Sequence, residues 1–414
     1  MLQLQAFLYL ATTIVAVWSS PNDGGSDTET ESYSNKVLLI SMDGFRWDYL
    51  NRVSTPNFDE FAKHGTRARF INNTFTTKTF PSHYSIATGL FEESHGIIGN
   101  SMYDPVFDET FSMRTTDSKW WGGEPIWITT RKQNLHSATY FWPGSEVNFN
   151  GTRPNIYMPY NQATPFHTRV DKAIDWLRNQ DMNFVCLYFH EPDATGHRYG
   201  PNSDEVLEKV KEMDILLGYI VTKLQENNLA DKVNVMVTSD HGMTELDVRN
   251  RVIDLNQIVN MSLIKRTAAR DIVTHITPKD GQLENVYNAL RLQSNMTVYH
   301  RKDLPDRWHY KNNRRVMPLV VVADDGWLVS QAPANLLLTG GRGGHGYDNA
   351  LSSMKPIFLA RGPNIKPNYE ISPFLTVDIY PLVCELLNLN PAPNNGSLAR
   401  TRDMLVVNPR IPVG

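Results

Sequence analysis

The sequence predicts an α/β fold built on a mostly parallel sheet flanked by helices. Three observations point there. The short continuous apolar runs Lys36–Met42, Phe184–Phe189 and Val233–Thr238 suit strands buried on both faces. Segments with helix signals alternate with these runs. Each run also breaks into a polar turn carrying Asp or His, namely Asp43, His190 to Asp193, and Ser239-Asp240-His241. In open parallel sheets, functional residues gather beyond the carboxyl ends of the strands.

The elements follow in order. Pro56 to His64 reads as a helix, with Thr55 as N-cap, Pro56 at the first helical position and Gly65 just past the end. The strand-like Arg69-Phe70-Ile71 leads to Thr76-Thr77-Lys78-Thr79-Phe80-Pro81. Ser82 to Thr88 then reads as a helix closed by Gly89. From Ser101 to about Asn161 the chain is irregular and aromatic, a packed insertion some of whose rings are candidates to line a pocket. Pro165 to Asn179 has helical periodicity, with Val170, Ile174 and Leu177 on one face. Ser203 to Glu226 is a long amphipathic helix. From about Leu246 to Gln331 the βα rhythm is lost and the chain turns polar, which marks an inserted, smaller subdomain. The core resumes at the Gly-rich Gly340 to Asp348, with Pro356–Ala360 as a strand and Val377–Leu387 as a helix.

The 414 residues are enough for one large domain with insertions or for two domains. Hydrophobic residues at 41% and charged residues at 20% exclude general disorder. A formal net charge of −4 gives no basic excess to hold a polynucleotide. Ala6 to Trp18 is apolar apart from Thr12 and Thr13, then turns polar at Ser19. We read residues 1–20 as a signal peptide, 21–34 as a disordered lead-in, 35–405 as the catalytic domain with its insertion at about 246–331, and 406–414 as a tail. The chain is expected to be secreted. A cell-surface anchor is the alternative, if the N-terminal segment is retained or a C-terminal anchor has been lost. The sequons at Asn72, Asn150, Asn260, Asn295 and Asn395 fit that route. The two cysteines, Cys186 and Cys384, build no disulfide framework. They read as buried thiols, with a single bridge left open.

The chemistry lies in the Asp/His turns. Asp193 and His197 are four apart, so they share one face of a helical turn or span a tight loop. Asp240 and His241 are adjacent, and Asp43 and His345 stand alone, the latter among glycines that suit close backbone approach. Together they make two three-residue sets of mixed N/O ligands. That mixture favours zinc over Mg²⁺ or Ca²⁺, and a three-ligand site keeps an open position. A hydroxyl beside such ions loses its proton near neutral pH and attacks phosphorus, and Thr79 is placed for that role.

The ordered segments Ser41-Met42-Asp43-Gly44-Phe45-Arg46, Thr77-Lys78-Thr79-Phe80-Pro81-Ser82-His83, His95-Gly96-Ile97-Ile98-Gly99-Asn100, Glu191-Pro192-Asp193 with Gly196-His197, Thr238-Ser239-Asp240-His241-Gly242-Met243 and Gly344-His345-Gly346-Tyr347-Asp348 resemble the ectonucleotide pyrophosphatase/phosphodiesterase family of the alkaline phosphatase superfamily. The likeness is to its small members and covers roughly residues 35–405. It implies an alkaline-phosphatase-like fold and two Zn²⁺. Asp193, His197 and His345 would hold one ion. Asp43, Asp240 and His241 would hold the other, with Thr79 beside it as nucleophile and ligand. Asn100 and the Phe80 N–H would hold a phosphate oxygen, and Phe80 and Tyr160 would sandwich a nucleobase. The family usually has Asn where this chain has Ser82, which bears on substrate fit rather than chemistry.

The expected reaction is hydrolysis of dinucleoside polyphosphates, nucleoside triphosphates or NAD to nucleoside 5′-monophosphates through a phosphothreonine intermediate. Choline phosphodiesters or sphingomyelin are the alternative substrates, and a decayed extracellular binding protein is the non-enzyme alternative. The aromatic pocket, and the lack of an evident oxygen-only third metal site, argue against a phosphomonoesterase. A Thr where sulfatases modify Cys or Ser argues against a sulfatase.

Overall fold

The computed structural model describes residues 36–268, 272–331 and 341–406. The expected signal peptide and lead-in, and all but the first residue of the expected tail, lie outside them.

An eight-stranded sheet forms the centre. Its order is Tyr369–Ile371, Thr66–Ala68, Phe358–Arg361, Asn234–Thr238, Val37–Met42, Phe184–Phe189, Ser137–Tyr140, Ile156–Met158. Among the described residues every strand of this sheet runs the same way except Phe358–Arg361, which is antiparallel to both neighbours. The three apolar runs are the central strand and its two neighbours, paired in register so that Ser41 lies between Tyr188 and Thr238. Their continuous hydrophobicity has a structural cause. Leu39, Cys186 and Met236 point into one apolar cluster, while Leu38, Ile40, Val185, Leu187, Val235 and Val237 point into another on the opposite face.

The helices Pro56–Lys63, Phe166–Asn179 and Asp204–Glu226 cover the second face, through residues such as Phe58, Val170, Ile174 and Leu217. On the first face lie the helices Thr79–Thr88, Ile126–Lys132 and Ile379–Leu386. A four-stranded antiparallel sheet, in the order Ile264–Ala268, Val273–Pro278, Leu319–Ala323, Met296–His300, joins the same cluster through Ile276, Val298 and Val320. The residues between about 246 and 331 thus share a core with the main sheet. Cys186 and Cys384 are both buried free thiols, and burial pushes the Cys384 thiol up to about 12.

Three local expectations need correction. The strand before Thr79 is Thr66–Ala68, three residues ahead of Arg69-Phe70-Ile71. The helix after it begins at Thr79 rather than Ser82. Pro81 falls in the first turn, where backbone N–H groups have no intrahelical acceptor, so the proline does not break the helix. Residues 101–161 are not irregular throughout. They contain a strand pair at Met102–Asp104 and Glu109–Phe111, the Ile126–Lys132 helix, and two strands of the central sheet. Strands of three or four residues are too short to show a period of two.

The Pro56–Lys63 helix is capped from outside. Thr55 makes no side-chain cap bond. Instead Asp214, buried on the long helix, accepts the Phe58 N–H at 2.8 Å and the Asn57 amide at 2.8 Å. Asp214→Ala leaves that N–H orphaned and is expected to destabilise the fold by about 1–3 kcal/mol. Denaturant unfolding checks this, and an unchanged midpoint would contradict it.

Candidate active site

The site forms where the central strands end. Asp43 follows the central strand, Asp193 opens the short helix Asp193–Tyr199, and Asp240 and His241 follow Asn234–Thr238. The Asp193 N–H donates to the Asp43 carbonyl at 2.9 Å, which draws two strand ends together. Gly44 makes this approach feasible. It has φ +68°, and a Cβ there would sit 2.8 Å from the Asp193 backbone. His345 arrives on a glycine-rich segment lying against the Asp193–Tyr199 helix, where a Cβ on Gly341 would fall 2.0 Å from the His197 carbonyl.

All six predicted Asp and His residues come together. His197 Nε2 is 3.1 Å from His345 Nε2 and 3.4 Å from Asp193 Oδ1, and His345 Nε2 is 3.7 Å from that same oxygen. His241 Nε2 is 3.0 Å from Asp240 Oδ2 and 3.4 Å from Asp43 Oδ1. The Thr79 hydroxyl lies 3.4 Å from His241 Nε2. The His241 and His345 rings stack at 3.4 Å, so the two sets are continuous. Grouped by distance alone, the donors divide differently, as Asp193 with His241 and His345, and Asp43 with His83 and Asp240, each within 4.8 Å. The hydrogen bonds decide what His83 is. Its Nδ1 donates to the Thr79 carbonyl at 2.8 Å and its Nε2 accepts from the Ser41 hydroxyl at 2.8 Å, so neither nitrogen is left for a ligand.

The other three imidazoles are arranged the opposite way. His241 Nδ1 bonds to Gly242 O, His197 Nδ1 to Gly343 O, and His345 Nδ1 to Thr77 O, each at 2.8 Å. A carbonyl can only accept, so each Nδ1 carries the proton and each Nε2 presents a lone pair to the cluster. Asp43 Oδ1, Asp193 Oδ1 and Asp240 Oδ2 are buried there with no hydrogen-bond donor. A buried group of acceptors alone is unfavourable without positive charge. These residues therefore fit bound cations.

Where protons take the place of cations, the cluster shows the same demand for positive charge: against burial, the Asp240 carboxylate raises His241 above the usual imidazole range. Burial, then the charges of Asp240 and Asp193, push the Asp43 carboxyl well above the usual range. Burial also raises Asp193. At Asp240 burial opposes the charge, but His241 and His83 outweigh it and hold the carboxyl well below its ordinary value. Burial, with His241 beside it, pushes His345 well down.

Thr79 is the first residue of its helix. The next N–H, of Phe80, donates to Asn100 Oδ1 at 2.9 Å. Here that N–H is held by Asn100, which leaves the Asn100 NH₂ as the donor group of the pair. Phe80 is partly buried, its ring 6.1 Å from Trp121 and 6.3 Å from Phe111. Tyr160 is 50% exposed, so it is not a core residue. Its ring lies 6.2 Å from Tyr188, whose hydroxyl donates to Asp43 Oδ2 at 2.6 Å.

His83, Tyr188 and Ser41 were not singled out from the sequence. His83 had a signal, its i+4 spacing from Thr79 on one helix. Ser41 and Tyr188 are polar residues one position before the ends of apolar strands, which is weaker. Of the sequon asparagines, Asn150, Asn260 and Asn395 are exposed. Asn295 and Asn72 are partly buried, and Asn72 Oδ1 accepts from Lys355 at 2.7 Å. Among the described residues no helix is long and apolar enough to cross a membrane.

Comparison with known proteins meets this geometry. Residues 37–348 match the type I phosphodiesterase / nucleotide pyrophosphatase family. The chain belongs to this family. Human ectonucleotide pyrophosphatase/phosphodiesterase family member 5 is 42% identical over 379 residues, which is 89% of this chain and 78% of the relative. A bis(5'-adenosyl)-triphosphatase of Xenopus laevis is 42% identical over 384 residues, 91% of this chain and 83% of the relative. The solved structure of murine ectonucleotide pyrophosphatase / phosphodiesterase 5, an inactive form with threonine replaced by alanine in complex with AMP, aligns with a TM-score of 0.86 at 42% identity, covering 90% of this chain and 100% of that one. The fold is accordingly alkaline-phosphatase-like, and the chain is a hydrolase of the phosphodiesterase/nucleotide pyrophosphatase family.

Two buried histidines outside the cluster give a pH dependence. Burial pushes His95 down to about 3 and His275 down to about 4, against 6.5 for a free imidazole. Below about pH 6.5 the unfolded chain takes up these protons and the folded chain does not, so stability falls as pH drops towards 4. The loss is on the order of 1 kcal/mol per pH unit for each histidine. Unfolding midpoints from pH 7 to about 4 should show this decline. His95→Gln should flatten it, and an unchanged slope in that variant would contradict the assignment.

Proposed function

We propose that this chain is a secreted, zinc-dependent phosphodiesterase that hydrolyses dinucleoside polyphosphates, nucleoside triphosphates or NAD to nucleoside 5′-monophosphates. The observation that carries this reading is the Thr79 hydroxyl, 3.4 Å from His241 Nε2 at the rim of a cluster in which Asp43 Oδ1, Asp193 Oδ1 and Asp240 Oδ2 are buried with no hydrogen-bond donor. The AMP in the murine relative, the threonine whose replacement accompanies its inactive form, and the diadenosine triphosphatase name of the Xenopus relative support it.

In this reading Asp193, His197 and His345 hold one Zn²⁺, and Asp43, Asp240 and His241, with Thr79, hold the other. Mixed imidazole and carboxylate donors suit zinc. When bound, the ions supply Lewis-acid charge at the attacking and leaving oxygens. Thr79 Oγ attacks phosphorus in line and the leaving oxygen departs. Water then cleaves the phosphothreonine diester and restores the hydroxyl. The position of Thr79 at a helix N-terminus favours the anionic phosphoryl group. The Asn100 amide, joined by the Phe80 N–H once substrate displaces Asn100 Oδ1 from it, holds an equatorial oxygen as oxyanion-hole donors do. Phe80 and Tyr160 offer ring faces for a base, since stacking tolerates any base. His83 fixes the Thr79 carbonyl and Tyr188 orients Asp43, both as positioning groups.

Product analysis tests this. Diadenosine triphosphate, ATP and NAD should each release AMP in a chelator-sensitive manner. Release of phosphocholine from glycerophosphocholine, with none of AMP, would overturn the nucleotide reading and keep the site. Thr79→Ala should abolish turnover while elemental analysis still finds zinc. Substantial residual turnover would sink the nucleophile assignment. Asn100→Ala should lower kcat by roughly 10²-fold, by analogy with other lost oxyanion donors.

A further inference from the structure

The loop His95–Asn100 is held along its length. The Ile97 N–H donates to His95 Nδ1 at 3.1 Å, and His95 Nε2 meets the Ser85 hydroxyl, on the Thr79 helix, at 2.9 Å. Two of the loop's carbonyls are taken by residues from the stretch after Met296–His300. Arg315 Nη1 donates to Gly96 O at 2.5 Å, and the Tyr310 hydroxyl donates to Ile98 O at 2.7 Å. Thr76 Oγ1 is a second donor to Ile98 O, at 3.3 Å.

Neither donor is a surface residue. Tyr310 is 1% and Arg315 5% exposed. Arg315 Nε is anchored on the buried Asp104 carboxylate at 2.7 Å, and Arg315 Nη1 also reaches Trp120 O at 2.7 Å. Tyr310 sits edge-on to Phe75 at 5.1 Å, and Phe75 stacks on Trp308 at 4.0 Å. Burying a phenol and a guanidinium is unfavourable unless their donors are used. Apolar side chains would pack the inserted sheet against the core equally well. Here the buried donors are aimed at the backbone two and four residues before Asn100.

We propose that Tyr310 and Arg315 are positioning residues for Asn100, so that the inserted subdomain sets the turnover rate by fixing the loop that holds the phosphoryl oxygen. This rests on the reading of Asn100 as that holder. Small displacements of such a donor are expensive, since a misplacement of about 1 Å can cost up to about 10²-fold in rate.

A double-mutant cycle tests it, with the full chain loaded with metal and bis(p-nitrophenyl) phosphate as a diester that lacks a nucleoside. Tyr310→Phe keeps the ring and removes the donor. It should lower kcat about tenfold with little change in KM, a loss within that range. In an Asn100→Ala background the same change should cost less than about twofold, because nothing remains to be positioned. An unchanged kcat in Tyr310→Phe, or equal losses in both backgrounds, overturns the positioning role while the Asn100 reading stands. If Asn100→Ala alone turns over at the wild-type rate, that reading fails and the positioning role falls with it. If Tyr310→Phe does not fold, Arg315→Lys, which keeps a positive charge beside Asp104 and removes the guanidinium bond to Gly96 O, goes through the same cycle with the same outcomes.

Discussion

Mutual repulsion at the ends of the central strands is the constraint on which the rest of the structure depends. Asp43, Asp193 and Asp240 bring carboxylate oxygens into one buried space, and His197, His241 and His345 add lone pairs pointed at the same place. No arrangement of these groups is favourable by itself. They are kept there by parts of the chain that cannot easily move. Three backbone carbonyls orient the rings, a backbone hydrogen bond beyond the strand ends ties Asp193 to Asp43, and a sheet buried on both faces fixes where each strand stops. The stability of the hydrophobic layers thus offsets the strain of a site preorganised for positive charge.

The same constraint explains which residues could be read from the sequence. Asp and His in turns after apolar runs are visible because strand ends are visible, and parallel strands bring their ends to one edge. Asp43, Asp193, Asp240 and His241 follow from that logic, and the glycines around His345 follow from close backbone approach. Ser41 and Tyr188 were not legible, because their importance comes from lying side by side in register, a property of two strands rather than of either one. Asn100 was legible only through a family pattern. The physics of its loop lies in bonds to Arg315 and Tyr310, far along the chain.

Where propensity misled, a local rule met a special position. Pro81 signals a break in most helices but is harmless in a first turn, so the helix was expected to start three residues late and Thr79 was left outside it. Ser137–Tyr140 and the edge strand Ile156–Met158 are too short for a period and gain their pairing from neighbouring strands. Phe358–Arg361 reads as one more core strand, yet it runs antiparallel, and apolar content carries no direction.

Asp43 and His345 meet in the site although hundreds of residues separate them, including the whole inserted sheet. Chain statistics give this a consequence for how such a protein can change. The entropy of closing a flexible loop grows only with the logarithm of its length, by about 0.6 kcal/mol for each doubling. A charge-bearing cluster that closes the loop is therefore almost indifferent to how much polypeptide lies between His241 and His345. Surface loops there can be lengthened at little thermodynamic penalty, provided the chain returns to the glycine-rich entry before His345. The stretch from Trp308 to Arg315 is the exception, because its side chains bond to the catalytic half of the molecule. Variation is cheap in the exposed loops of the excursion and dear in those few residues and in Ile276, Val298 and Val320, which lie in the core shared with the main sheet.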